Sequence, residues 1–313
     1  MPRRALVLAL LALPLLTPAD ALAQSGLPTR YTITGAAVFP EGIAVDPARR
    51  TLYVGATSDG TIYGGTLARP GLRAVLPPPE GRPTSAGLEI DARGRLWVAG
   101  GPSGRIDVYD PRARRLLGAF TTGTGGFMND QVVTRGGDGY VTDSRRPVIW
   151  RVRASALGSS TPQPAERWLD LTGSAIAYGE GFNLNGIVLS ADGRHLVVVQ
   201  SNTGRLFRIE IATKEVTPID LGGATVTFGD GMVLLGRTLY VLRNRENLVV
   251  KIRLRADLAS GVVASLTTYL TTRYPTTAAA FGGRLLLVNS QFGARNTGTV
   301  PILPFTVSSV RRP

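Results

Sequence analysis

NGIVLSADGRHLVVVQSNTGRLFRIEI, residues 185–211, contains the unit from which the rest of the chain can be read. A polar residue opens it, an apolar run follows from Ile187 to Leu189, and an Asp192-Gly193 turn leads into a second apolar run, Leu196 to Val199. A further turn precedes a third strand-like run from Leu206. Short runs of β-branched and aliphatic residues punctuated by Asp-Gly turns read as hairpins. The pattern recurs as EGIAVDPARRTLYVGATSDGTIYGGTL from Glu41, AGLEIDARGRLWVAGGPSGRIDVYDP from Ala86 and NDQVVTRGGDGYVTDSRRPVIWRVR from Asn129. It returns as DGMVLLGRTLYVLRNRENLVVKIRL from Asp230 and, in worn form, as TTAAAFGGRLLLVNSQFG from Thr276. The starts lie 45, 43, 56, 45 and 46 residues apart, the length of one propeller blade and too long for a leucine-rich or ankyrin unit. Six copies predict an all-β, six-bladed β-propeller formed as a single domain by residues 24–313. Successive sheets would bury one another's apolar faces, so no unit would fold alone.

Two stretches fall outside the copies. Tyr31 to Ile33 and Pro304 to Val310 are both strand-like and are expected to complete the last blade together. The long interval holds an extra stretch, Asp170 to Phe182, expected to lie as a loop over one face and to act as a lid or specificity element.

The N-terminus reads differently from the repeats. Arg3 and Arg4 precede an apolar run from Ala5 to Leu16, and a small-residue tail ends Ala21-Leu22-Ala23, the pattern of a signal peptide over residues 1–23. The run is too short for a helix to cross a bilayer, and no later segment is long and apolar enough, so an exported, periplasmic or secreted protein without a membrane span is expected. There is no cysteine, which removes disulfides, thiolate metal sites and cysteine nucleophiles. The net charge of +13 is almost wholly arginine, and aromatic residues do not interleave with the basic clusters as a stacking platform requires. Nucleic acid is therefore not an expected partner; a monomer acting on a small molecule is.

The first strand of each blade lines the channel of a propeller, so equivalent positions form a ring: Glu41, Ala86, Asn129, Asn185, Asp230 and Thr276. Asn, Asp and Gly before a strand are ordinary turn formers, and any one of these residues alone reads as a turn residue. Acids and amides at four equivalent positions read as a site, because unpaired carboxylates at a channel mouth repel each other and resist desolvation. Two carboxylates and two amides with no His or Cys suit a hard cation, Ca²⁺ or another divalent ion. The second strands return to the same face, which brings Asp143, Gln200, Asn202, Arg243, Asn244 and Asn289 towards the rim. Arg243 there would bind an anionic substrate or balance the carboxylates, while the others read equally well as hairpin-turn residues.

The set EGIAVD, MNDQVV, NGIVLSADG and GDGMVLL resembles the regucalcin, gluconolactonase and luciferin-regenerating family of six-bladed calcium propellers, from about Phe39 to Phe292. The resemblance implies that Glu41, Asn185 and Asp230 are metal ligands and that Asn129 contacts substrate; Asp143, Gln200 and Arg243 are expected at the substrate from the strand geometry alone. It further implies that Asp230 is the general base of a lactone or ester hydrolysis. One departure bears on substrate: sugar-lactone members carry an arginine two positions before the matched asparagine, and Phe127 stands there. A more apolar ester or lactone fits better. His195, the sole histidine, lies inside HLVVVQ and reads as a strand residue, and no Gly-x-Ser-x-Gly elbow occurs, so histidine-based and Ser-His-Asp hydrolysis are disfavoured. The rival is a non-enzymatic exported propeller whose axial ion only staples the blades and whose face binds a protein or glycan.

Overall fold

The computed structural model describes residues 26–313; the signal-peptide expectation for residues 1–23 lies outside them. The chain begins with β1 (Arg30–Ile33), then β2 (Pro40–Asp46), β3 (Thr51–Ala56), β4 (Ile62–Thr66) and β5 (Gly71–Leu76). Next come β6 (Leu88–Ile90), β7 (Leu96–Ala99), β8 (Arg105–Asp110) and β9 (Arg115–Thr121), and then β10 (Met128–Val133), β11 (Gly139–Asp143), β12 (Val148–Val152), β13 (Gln163–Pro164) and β14 (Glu166–Asp170). Two further meanders follow, β15 (Leu184–Leu189) to β16 (His195–Gln200), β17 (Arg205–Glu210) and β18 (Val216–Ile219), and β19 (Gly229–Leu235) to β20 (Thr238–Arg243), β21 (Leu248–Leu254) and β22 (Gly261–Thr268). The last strands are β23 (Pro275–Phe281), β24 (Arg284–Asn289) and β25 (Phe305–Arg311). His195 is a strand residue, opposite Glu210.

These strands form five sheets, three of them four-stranded meanders. The order β2-β3-β4-β5-β1-β25-β24-β23 in the largest sheet shows how the circle is closed. β1 pairs antiparallel with β25, Tyr31 opposite Val307, and on its other edge runs parallel to β5. The two chain ends thus share strands, as the sequence outside the repeats predicts, and the join has backbone hydrogen bonds on both sides. β2, β6, β10, β15, β19 and β23 pack against one another in turn around a central channel.

The core is distributed between neighbouring sheets rather than gathered at one centre. Val197 and Val199 of β16 pack on Met232, Leu239 and Val241 of the next sheet, and Leu286, Val288, Phe305 and Val307 pack on Ile43, Leu52 and Val54 across the closure. Both faces of most strands are covered, which is why β16 and β24 read as unbroken apolar runs instead of alternating ones. One interface carries a buried ion pair. Arg82, fully buried, bonds Asp107 at 2.7 Å and also donates to Gly60 O, Thr84 O, Ser85 Oγ and Tyr109 Oη.

The expected lid is a fixed wall. Leu171 and Ile176 are buried in the core, Tyr178 Oη donates to Asp143 O at 2.6 Å, and Gln200 Nε2 donates to Ala177 O at 2.8 Å. Only Glu180 to Phe182, at its end, reach the channel mouth.

Candidate metal and substrate site

The ring positions sit at a recurring distortion. The ladder slips between Pro40 and Ile43, Met128 and Gln131, Leu184 and Ile187, Gly229 and Met232, and Pro275 and Ala278. A β-bulge at the start of a strand re-aims a side chain, and here it turns Glu41, Asn129, Asn185 and Asp230 to one mouth of the channel. The following residue is Gly42, Gly186 or Gly231 in three of these strands because the inner strands nearly touch. A Cβ on Gly42 would meet Ala86 O at 2.0 Å, and one on Gly186 would meet Asp230 O at 2.4 Å. Asp130 takes that position in β10, and its carboxylate accepts from the backbone N–H of Gln131 at 2.9 Å and of Ile187 at 3.3 Å.

Glu41, Asn129, Asn185 and Asp230 are all buried, and all four line a cavity of about 520 Å³. Burial pushes the Glu41 carboxyl well up, and the Asp230 and Asp130 carboxylates add to this while Arg295 opposes it. Burial likewise raises Asp230, against hydrogen bonds from Asn244 and Asn185 and with a contribution from Asp130. Asp130 itself is pushed up to about 7 by burial. Ionising all three acids in this space is therefore costly without a further counter-charge.

The amides around these acids have spare acceptors. Asn244 Nδ2 donates to Asp230 Oδ2 at 2.5 Å, yet Asn244 Oδ1 is buried without a partner. Asn185 Oδ1 and Asn202 Oδ1 are in the same condition, and all three residues line the cavity. Asn129 Nδ2 is held by Ser144 Oγ at 2.8 Å, which fixes the amide. Among the described residues no group of three or more His, Cys, Asp or Glu side chains converges as a metal cluster. The donors here are of another composition: two carboxylates and orphaned amide oxygens. That set fits a hard cation, which takes oxygen ligands, satisfies buried lone pairs and offsets both acids.

Not every rim residue expected from the sequence reaches the cavity. Asp143 is fully buried, and its Oδ1 accepts from Phe127, Arg145 and Arg146 N–H groups while Oδ2 takes Arg146 Nε at 2.7 Å and Trp150 Nε1 at 3.2 Å. Its acceptors are spent on holding the loop after β11. Gln200 is spent on Ala177 O and Thr203 Oγ1, and Arg243 on Thr227 O and Glu246. Asn289 ties Arg273 N to Thr306 and Ser308. Asn202 and Asn244 do face the cavity.

The residues the repeat did not expose are aromatic and basic. Phe127 and Phe182 meet edge to face at 4.9 Å, with the Arg145 guanidinium 5.8 Å from each ring. Phe228, Tyr274 and Phe292 line the other side with Arg245 and Arg295. They come from loops and from the short helix Phe292–Thr297, where no common repeat position marks them.

A channel ringed by the inner strands of successive meanders, with the two chain ends closing one sheet, is a β-propeller, and solved structures agree. The chain is similar to the allergen Mala s 1 of Malassezia sympodialis, with a TM-score of 0.65 at 14% identity over 91% of this chain and 96% of that one. Regucalcin of Agrobacterium tumefaciens, a calcium-binding protein, gives 0.63 at 17% identity over 92% and 96%. Virginiamycin B lyase of Staphylococcus aureus gives 0.60 at 12% over 91% and 98%. At these identities the likeness is one of fold. No family model and no curated protein matches the sequence.

Proposed function

We propose that the chain is a six-bladed propeller of the regucalcin and gluconolactonase type, exported through residues 1–23, and a calcium-dependent hydrolase of a lactone or ester. In this reading the eight-stranded sheet is two blades joined through β1 and β5. The observation that carries the hydrolase is the pairing of Glu41 and Asp230, both buried, with the orphaned Asn185 and Asn244 oxygens on the floor of a roomy cavity. An ion that only stapled blades would need no such space above it. The regucalcin likeness supports calcium, and the donor chemistry supports it independently.

Glu41, Asn185 and Asp230 would hold the cation, which when bound supplies polarisation of a carbonyl oxygen. Asn244 fixes one oxygen of Asp230. Its remaining lone pairs would face both the cation and the attacking water, from which the carboxylate would take a proton. Asn129, locked through Ser144, presents its amide oxygen to a substrate hydroxyl or amine. Phe127 and Phe182 would give one side of the cavity an apolar face. A hydrolysis screen of lactones, aryl esters and phosphotriesters with and without Ca²⁺ tests the reading. Calcium-dependent turnover of at least one class is expected, and silence across all three would move the protein to the binding-module class.

A further inference from the structure

Two arginines, Arg245 and Arg295, line the cavity, and Arg295 acts on Glu41 only at longer range. Among the described residues neither Arg245 nor Arg295 has a carboxylate within ion-pair distance; Glu246, next to Arg245, is taken by Arg243. Both are held in place by other means. The Arg245 guanidinium lies 4.4 Å from the Phe228 ring centroid and interacts with the Tyr274 hydroxyl. The Arg295 guanidinium lies over Phe39 and Phe292, at 5.6 and 5.9 Å, and its Nη1 donates to Thr57 Oγ1 at 2.9 Å. Tyr274 and Phe292 touch, their rings 5.9 Å apart, so the two arginines flank one continuous aromatic wall. Guanidinium groups stacked on aromatic faces keep their N–H edges free for an incoming anion.

We propose that this wall is an anion subsite and that the natural ligand is a monoanionic carboxylate on an aromatic or other apolar body. The inference rests on the hydrolase reading for what happens to the ligand, and on the cavity alone for its binding. Charge selects the class. With a divalent cation on the floor, Glu41 and Asp230 are neutralised, and Asp130 beneath the ring and Arg145 against Phe127 and Phe182 offset each other, which leaves Arg245 and Arg295 against Glu180. The excess is a single positive charge, matched by a carboxylate and exceeded by a phosphate dianion. The apolar body follows from Phe127, Phe182 and Phe228, which add three aromatic rings to Tyr274 and Phe292 in a lining whose amides, Asn202 and Asn244 among them, lie towards the metal ring.

Calorimetry on calcium-loaded full-length mature protein with 3-phenylpropionate, 3-phenylpropanamide and phenyl phosphate tests this without requiring turnover. The carboxylate is expected to bind about tenfold or more tightly than the neutral amide, a margin typical of one charge-assisted hydrogen bond, and more tightly than the phosphate. The carboxylate-to-amide ratio should collapse towards unity in Arg245→Gln combined with Arg295→Gln. A preference that survives both substitutions would place the carboxylate on the metal and overturn the subsite, equal binding of acid and amide to the parent protein would overturn it outright, and stronger binding of phosphate would overturn the monoanion. If the carboxylate preference appears as expected while no ester or lactone is turned over, the hydrolase reading fails and the subsite stands.

Discussion

Replacing Glu41 by Gln should stabilise the metal-free protein and at the same time remove most of its gain from calcium. The side chain keeps its shape and an oxygen donor but loses its charge. In the metal-free protein Glu41 and Asp230 are both buried, and Asp230 adds to the cost of ionising Glu41. Removing one charge from such a site should stabilise by about 1–3 kcal/mol, the usual penalty for a poorly satisfied buried polar or charged group. A chain of this size gains about 2 °C in Tm per kcal/mol, so a rise of about 2–6 °C is expected in chelator-treated protein. Calcium should erase most of that advantage, and reverse the ranking where the metal-free gain is below about 2.3 kcal/mol. At a free concentration of about 100 times the dissociation constant, binding stabilises the parent protein by about 2.7 kcal/mol, or about 5 °C. Loss of one of two carboxylates should weaken calcium about a hundredfold, since affinity at oxygen sites is tuned by ligand charge, and the same calcium then contributes only about 0.4 kcal/mol. Thermal unfolding followed by circular dichroism, in chelator and across a calcium titration at mildly alkaline pH, reads both effects. A variant that is less stable without metal and keeps the full calcium shift would refute the assignment of Glu41 to a cation site.

Other outcomes follow from single residues. Asp230→Asn should leave a folded propeller and lower kcat for any ester or lactone substrate by about 10²–10⁴-fold, the contribution of a general base; unchanged kcat in steady-state assays would remove that role. Arg82→Met should cost about 3 kcal/mol by denaturant unfolding, at the low end for breaking a buried pair, because Arg105 still bonds Asp107 at 2.7 Å. A loss under about 0.5 kcal/mol would mean that the pair contributes no more than an exposed one. Burial and the nearby Asp130 and Asp91 carboxylates raise Glu89 from 4.5 to about 8, so the folded protein holds a proton there that the unfolded chain releases. Its contribution to stability is therefore present below 4.5 and lost as pH rises towards 8, and Glu89→Gln should flatten the fall of Tm across that window; an identical pH profile would contradict it.

What could be read in the sequence and what could not have a common physical origin. A propeller repeats its backbone, so features dictated by the backbone recur at fixed spacing: the apolar strands, the Asp-Gly turns, and the polar residue that the bulge turns into the channel. Glu41, Asn129, Asn185 and Asp230 were legible because each occupies the same point of the same distortion, and the convergence of β1 on β25 was legible because both stretches were left over from the count. The interval of 56 residues also pointed to the insertion before β15, but not to its anchoring, since Leu171 and Ile176 look like loop residues until the neighbouring sheet is placed over them. Rim chemistry does not repeat. Asp143 and Arg243 end strands that return to the channel mouth, as Asn244 does, yet their polar atoms are consumed by Arg146, Trp150, Thr227 and Glu246, partners that no spacing specifies. Arg245, two residues beyond Arg243, has no acid within ion-pair distance among the described residues, because the turn that pairs Arg243 with Glu246 directs Arg245 onto Phe228. In the proposed reading the scaffold's symmetry fixes where a cation would sit, whereas the choice of substrate would rest on Phe127, Arg245, Phe292 and Arg295, positions at which the copies differ. Divergence of substrate among propellers with the same ring is expected to occur at those positions, and exchange of the wall residues should alter selectivity without altering the calcium dependence of stability.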